Sequence, residues 1–254
     1  MNRRAVLAAA LGAALPLSVK AKAMTSFNPI VELRQYTLRG GHRDGFTDRF
    51  EARFIESQET LGARIIGIFR DLDDPDRFVW MRGFEGLEAR YKALGGFYTG
   101  PVWQANRAAA NADIVDSDNV LLLHPAGPGE LPGAAKAGLI VASIQYLPAA
   151  LAGLYRDLFE TTLRPRIARA GGQVFGTLET DPGPNSYPRL PVREGESVHI
   201  WFGRFEDEAA HRAFAQRLAD QAGWQDAAPE AVLPALMRKP EVLRLAPTAR
   251  SRLR

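Results

Sequence analysis

Internal repetition is the feature that most constrains what this chain can fold into. An apolar strand ending in Gln35-Tyr36 runs into an amphipathic helix, and Gln145-Tyr146 repeats the arrangement 110 residues later. Gly67, inside Ile65–Phe69, recurs as Gly176 inside Val174–Leu178 at an offset of 109. Val79-Trp80 through Phe84-Glu85 recurs as Ile200-Trp201 through Phe205-Glu206 at an offset of 121. The offset grows by 12 at one place, the loop around Asn185-Ser186-Tyr187-Pro188. Near-constant offsets broken by a single insertion mark a duplicated domain, and each copy must bury its faces against something.

Each copy reads as β-α-β-β-α-β, the split βαβ order of ferredoxin-like domains. In the first, the strand Ile30–Thr37 alternates and stops at Gly40-Gly41, and Phe46, Phe50, Phe54 and Leu61 follow at helical spacing. Strands over Arg64–Arg70 and Arg77–Phe84 flank a turn rich in Asp and Pro. A helix over Glu85–Leu94 and a strand over Val120–His124 complete the copy. The second runs through a strand Leu139–Tyr146, a helix Ala149–Ala170 interrupted at Pro165, and hairpin strands Gln173–Thr180 and Ser197–Phe205. Helices over Ala209–Ala222 and Glu230–Met237 and a strand over Val242–Leu245 follow. The expected organisation is a leader over 1–23, a first domain over 28–125, a Gly/Pro/Ala linker over 126–136 and a divergent second domain over 137–248. On the first strand Val31, Leu33 and Gln35 point one way and Glu32, Arg34 and Tyr36 the other; on the third, Val79 and Met81 alternate with Phe78, Trp80 and Arg82. Both faces carry large groups, so packing the open sheet of one copy against that of the other, as a pseudo-symmetric α+β barrel, is the economical solution.

The N-terminus reads as an export signal. Arg3-Arg4 precedes an apolar run from Ala5 to Leu17 and an Ala21-Lys22-Ala23 cleavage pattern. The run is too short to span a bilayer, which argues against a stable membrane anchor. It resembles a twin-arginine leader, with Asn2 where Ser or Thr is usual; Sec export is the alternative, and either predicts a periplasmic or secreted protein cut near Ala23. The four basic residues of 1–23 account for the formal charge of +3, and without them the chain carries −1. That leaves no clustered Lys/Arg surface for nucleic acid. With no cysteine, disulfide frameworks and thiolate chemistry are excluded.

Glu32, Arg34 and Tyr36 form the best candidate constellation, because spacing of two puts three functional side chains on one strand face. Arg can orient a carboxylate or enolate, Tyr can donate a proton and Glu can accept one. The same pattern is equally that of a cross-sheet ion pair beside a core tyrosine. Trp80 shares their face as a wall for a ligand or a core filler, with Trp201 its equivalent, and His42 follows the Gly40-Gly41 turn as a candidate base or an exposed turn residue. His199 aligns with Phe78 and is expected as a hydrogen-bonded buried histidine. The four histidines show no zinc spacing, and Asp71–Asp76 lacks the glycine and glutamate of a calcium loop, so no metal and no cofactor is expected.

Glu32-Leu33-Arg34-Gln35-Tyr36-Thr37-Leu38, followed by Gly41 and Phe46, resembles the opening of a NIPSNAP domain, in which a Glu-Leu-Arg-x-Tyr strand leads through a Gly turn into a helix. Gly67 and the Trp80 strand extend the resemblance over Ile30–His124. The second copy follows loosely, with Ala142-Ser143-Ile144 in place of Glu-Leu-Arg. The resemblance implies a dimeric α+β barrel fold, whose wider superfamily includes cofactor-independent oxygenases, haem-degrading enzymes and isomerases. Two functions stay open. One is a small molecule bound in the first copy beside Glu32, Arg34, Tyr36 and Trp80, with cofactor-independent proton transfer or oxygenation as its chemistry. The other is a non-catalytic interaction module using the inserted loop Asp181–Glu196. Association of identical copies is compatible with either.

Overall fold

The computed structural model describes residues 26–127, 129, 131, 138–221 and 228–254. The leader over 1–23, most of the linker over 126–136 and the end of the helix read to Ala222 fall outside them. Alternation along β1 (Ile30–Leu38) decides what surrounds each residue. Val31 and Leu33 enter a core with Val79, Met81, Leu121 and Leu123, and Ile140, Ala142, Ile144, Ile200 and Leu243 come to the same core from the second half. The strands are β2 (Arg64–Asp71), β3 (Arg77–Phe84), β4 (Ile114–Pro125), β5 (Leu139–Tyr146), β6 (Gln173–Thr180), β7 (Val198–Phe205) and β8 (Glu241–Pro247). They close a barrel in the order β1-β3-β2-β8-β5-β7-β6-β4. Each half contributes four antiparallel strands in the ferredoxin-like order, and two short seams, Phe69–Asp71 on Leu245–Pro247 and Leu123–Pro125 on Leu178–Thr180, join them. Closure removes the sheet edges. The fold is therefore α+β, two tandem ferredoxin-like repeats packed as a pseudo-dimeric barrel.

Helices cover the outside. In the first half these are α1 (Arg43–Arg53), α2 (Ile55–Glu59), α3 (Leu87–Thr99) and α4 (Pro101–Asp113). Periodicity assigns nothing between Leu94 and Val120, yet the chain there completes α3 and forms α4. Gly100-Pro101 separates the two, the proline sitting in the first turn where its missing N–H costs nothing. In the second half α5 (Ala152–Leu158) passes through a π-helical turn, Phe159–Leu163, into α6 (Arg164–Arg169). The interruption predicted at Pro165 thus takes the form of a widened turn just before it. A proline ring collides with the carbonyl four residues back, and the wider turn relieves that collision. α7 (Glu208–Ala219) and α8 (Leu233–Met237) complete the layer.

Two features of the repeat become clear in three dimensions. Gly67 and Gly176 each mark a register shift where β2 meets β3 and β6 meets β7, so the repeated glycine is a repeated β-bulge. The alignment of Gln35-Tyr36 with Gln145-Tyr146, however, is one residue out. Arg34 pairs with Trp80 and Glu32 with Arg82, whereas Ser143 pairs with Trp201 and Val141 with Gly203. The counterparts of Glu32, Arg34 and Tyr36 are therefore Val141, Ser143 and Gln145, at the same offset as the glycines. A slip of one residue reverses the face: Tyr146 packs in the barrel core and Tyr36 under the helices.

Candidate functional site

The outer face of β1 and β3 meets α2 and α3 in a charged knot. Glu32 Oε2 accepts from Arg34 Nη1 at 2.8 Å and from Arg82 Nε at 2.7 Å, and its Oε1 accepts from Arg90 Nε at 2.6 Å. All four side chains are 0% exposed. Arg82 Nη1 also donates to Gln58 Oε1 at 2.7 Å, and Arg34 Nε donates to the Tyr36 hydroxyl at 3.0 Å. Burial would raise the Glu32 carboxyl pKa, but Arg82, Arg34 and Arg90 outweigh it and hold the group far below the usual carboxylate range. Glu32 is thus a fixed counter-ion and a very weak base.

One carboxylate facing three guanidinium groups leaves a buried formal charge of about +2, a costly arrangement without a further anion or acceptor. The unmet demand is visible atom by atom. Arg34 Nη2, Arg82 Nη2, Arg90 Nη2 and Trp80 Nε1 are all buried with no hydrogen-bond partner among the described residues. Two of the guanidiniums lie over rings, Arg34 5.6 Å and Arg82 4.9 Å from the Trp80 centroid.

A cavity of about 120 Å³ adjoins this knot, walled by Tyr36, Phe50, Trp80, Phe97, Tyr98 and Trp103. Gln58, Asn111 and Ser117 are among its polar groups, and among the described residues no arginine, histidine or carboxylate lines it. The Tyr36 hydroxyl accepts from Arg34, so its own hydrogen is free to point into the cavity. Burial raises the pKa of Tyr98 and keeps that phenol protonated.

The inserted loop of the second half completes this site. Arg90 Nη1 donates to Asn185 Oδ1 at 2.9 Å and to Ser186 Oγ at 3.1 Å. Tyr187 is buried and stacks on Tyr98 with centroids 6.1 Å apart, and Leu190 reaches the cavity wall. Asp181–Glu196 is therefore a strap across the first half, with Asn185, Ser186 and Tyr187 packed inward and Pro188, Arg189 and Pro191 exposed.

Glu32, Arg34, Tyr36 and Trp80 come together as their spacing implies. His42 does not join them. It sits half-exposed at the start of α1, its Nδ1 2.7 Å from Asp113, which Arg49 also engages. Arg82 and Arg90 are the residues that sequence reasoning passed over. Both left a signal: Arg82 shares the alternating face of Trp80, and Arg90 occupies a helical stripe with Ala93, Leu94 and Phe97, where an apolar side chain is the rule.

In the second half His199 is buried, with its Nδ1 3.0 Å from Glu179 Oε1, and Arg156 chelates the same carboxylate. Burial alone would raise the pKa of Glu179, but hydrogen bonds from His199 and Arg156 bring it down to about 2. Among the described residues no group of three or more His, Asp or Glu is placed to hold a metal, and no helix is long and apolar enough to cross a membrane.

Residues 31–127 match the NIPSNAP family model. Among solved structures, a candidate monooxygenase from Lactobacillus acidophilus superposes with a TM-score of 0.53 at 13% identity, covering 87% of this chain and 94% of the other. An anthrone oxidase-like protein gives 0.53 at 14% identity over 86% and 91%. A NIPSNAP family protein from Agrobacterium tumefaciens is 27% identical over 39% of this chain and 88% of its own, with a TM-score of 0.36. No curated protein matches the sequence. The first two likenesses establish the shared barrel architecture across nearly the whole chain. The NIPSNAP match covers the part of the chain that carries the arginine knot.

Proposed function

We propose that the first half binds a compact organic anion, an aromatic carboxylate, phenolate or enolate, under its helices. The observation that carries this reading is the buried excess of positive charge around Glu32, with three guanidinium nitrogens and Trp80 Nε1 unpartnered among the described residues. Trp80 and the arginine-bonded Tyr36 and Gln58 line an aromatic-walled cavity. An anion entering there would supply the missing acceptors in a dry site, where charge-assisted hydrogen bonds are strongest. The cavity is below the roughly 300–1,000 Å³ of typical drug-sized pockets, which selects a single-ring or smaller ligand.

Such a site favours the deprotonated form of an acidic C–H or O–H compound. Its electron-rich enolate or phenolate is the species that exchanges a proton or reacts directly with oxygen, and Tyr36 is placed to return a proton. The names carried by the two barrel neighbours agree with that chemistry. The interaction-module reading would use the outward residues of Asp181–Glu196, such as Pro188 and Arg189, while Asn185, Ser186 and Tyr187 face inward.

Titration calorimetry with benzoate and with its neutral isostere benzamide tests the proposal. Benzoate should bind the wild type at least tenfold more tightly than benzamide, and Arg34→Met should abolish the difference while circular dichroism shows an intact fold. No benzoate binding to the wild type, or unchanged binding in folded Arg34→Met, refutes it.

A further inference from the structure

The corresponding space in the second half has lost its charge and gained room. Val141 and Ser143 stand where Glu32 and Arg34 stand in the first half, Gly203 replaces Arg82, and at the offset of 121 His211 replaces Arg90. In place of a charged knot the second half has a cavity of about 460 Å³ between β5, β7 and the helices α5 to α7. Tyr155, Phe159, Trp201 and Phe214 form its aromatic walls. Its volume lies within the range of ordinary ligand pockets, and interiors seldom keep apolar space of this size unfilled.

Three independent features point to an occupant. The π-helical turn Phe159–Leu163 contributes both its end residues to the wall, and such turns recur at functional sites. Arg166, also in the wall, has a buried Nη1 with no partner among the described residues. The Gln145 amide is fixed by donating to the Ala235 carbonyl at 2.5 Å, which holds a polar group at the cavity floor beside Ser143. Burial lowers the pKa of His211 at the same cavity, so it adds no competing positive charge at neutral pH.

We infer that the second half is a separate ligand site for a flat, mainly apolar aromatic molecule carrying one oxygen acceptor, with the rings among Tyr155, Phe159, Trp201 and Phe214 and the acceptor on Arg166. This site differs from the first in both size and charge, and it stands whether or not the arginine knot binds an anion.

The test uses two fluorescent probes with the same fused rings, 8-anilinonaphthalene-1-sulfonate, which has an anionic acceptor, and N-phenyl-1-naphthylamine, which has none. Wild type should bind one equivalent of each. Arg166→Gln should weaken the sulfonate probe at least tenfold and the neutral probe less than threefold. Ser143→Leu, filling the floor, and Ala215→Phe, narrowing the wall, should each weaken both at least tenfold; if one variant misfolds, the other decides. Failure of the wild type to bind either probe overturns the inference, as does wild-type affinity in the folded filling variants. Loss of both probes in Arg34→Met would place them in the first half and overturn it as well.

Discussion

Replacing Glu32 by Gln removes the one anion that three buried arginines share, while changing the side-chain volume little. The structure sets the expected cost. Glu32 Oε2 serves Arg34 and Arg82, and Oε1 serves Arg90. A glutamine oxygen can keep the first pair, but its NH2 then faces Arg90 Nε, donor against donor. The buried formal charge rises from about +2 to about +3, and breaking a buried pair by removing one partner costs about 3–5 kcal/mol. For a chain of this length that is a fall in Tm of roughly 6–20 °C.

The pH dependence gives the sign. The folded pKa of Glu32 is depressed, so its contribution is fully present above the unfolded value of about 4.3 and is lost as pH falls toward the folded value. The stability gap between wild type and Glu32→Gln should therefore be flat from about pH 7 to 5. Between about pH 4 and 3 it should close by about 1.4 kcal/mol per pH unit. Urea denaturation followed by far-UV circular dichroism measures both quantities. A gap below about 1 kcal/mol at neutral pH, or one unchanged between pH 5 and 3, would show that the carboxylate charge does not hold the arginines.

Unhooking the strap with Asn185→Ala and Ser186→Ala removes two bonds to a charged donor, at about 1.5–3 kcal/mol each if nothing replaces them. Exchange of the Arg193 amide, which donates to the Val120 carbonyl at 2.8 Å, should then quicken, and unchanged exchange would mean that the other contacts of the strap hold it in place. Adding a methyl group at either bulge glycine drives it into an aromatic ring, Phe69 for Gly67→Ala and Phe27 for Gly176→Ala. Each should cost about 1–3 kcal/mol, and an unaltered Tm would show that the bulge tolerates a side chain. Export is our remaining proposal: N-terminal sequencing of protein from a periplasmic extract should begin at Met24, and an intact Met1 would contradict it.

Duplication, strand order and the alternation of faces are written along the chain, because each depends on spacing within one strand or helix or on a constant offset between copies. Glu32, Arg34, Tyr36 and Trp80 could be grouped for the same reason. The convergence of Arg82 and Arg90 on Glu32 could not, since it brings to that carboxylate one residue of a strand and one of a helix, 50 and 58 positions away in sequence. An arginine reads as a solvated charge until its neighbours are known. The register of the second copy was equally hidden: Gln145-Tyr146 looks like Gln35-Tyr36, but pairing with β7 decides which face each residue takes. Only the closed barrel shows that the inserted loop of one half covers the charged site of the other, and that the second half has a larger cavity where Val141, Ser143 and Gly203 stand in the places of Glu32, Arg34 and Arg82. Local periodicity determines elements and faces; charge balance, cavity size and coverage depend on which distant elements pack together, and tertiary structure alone decides them.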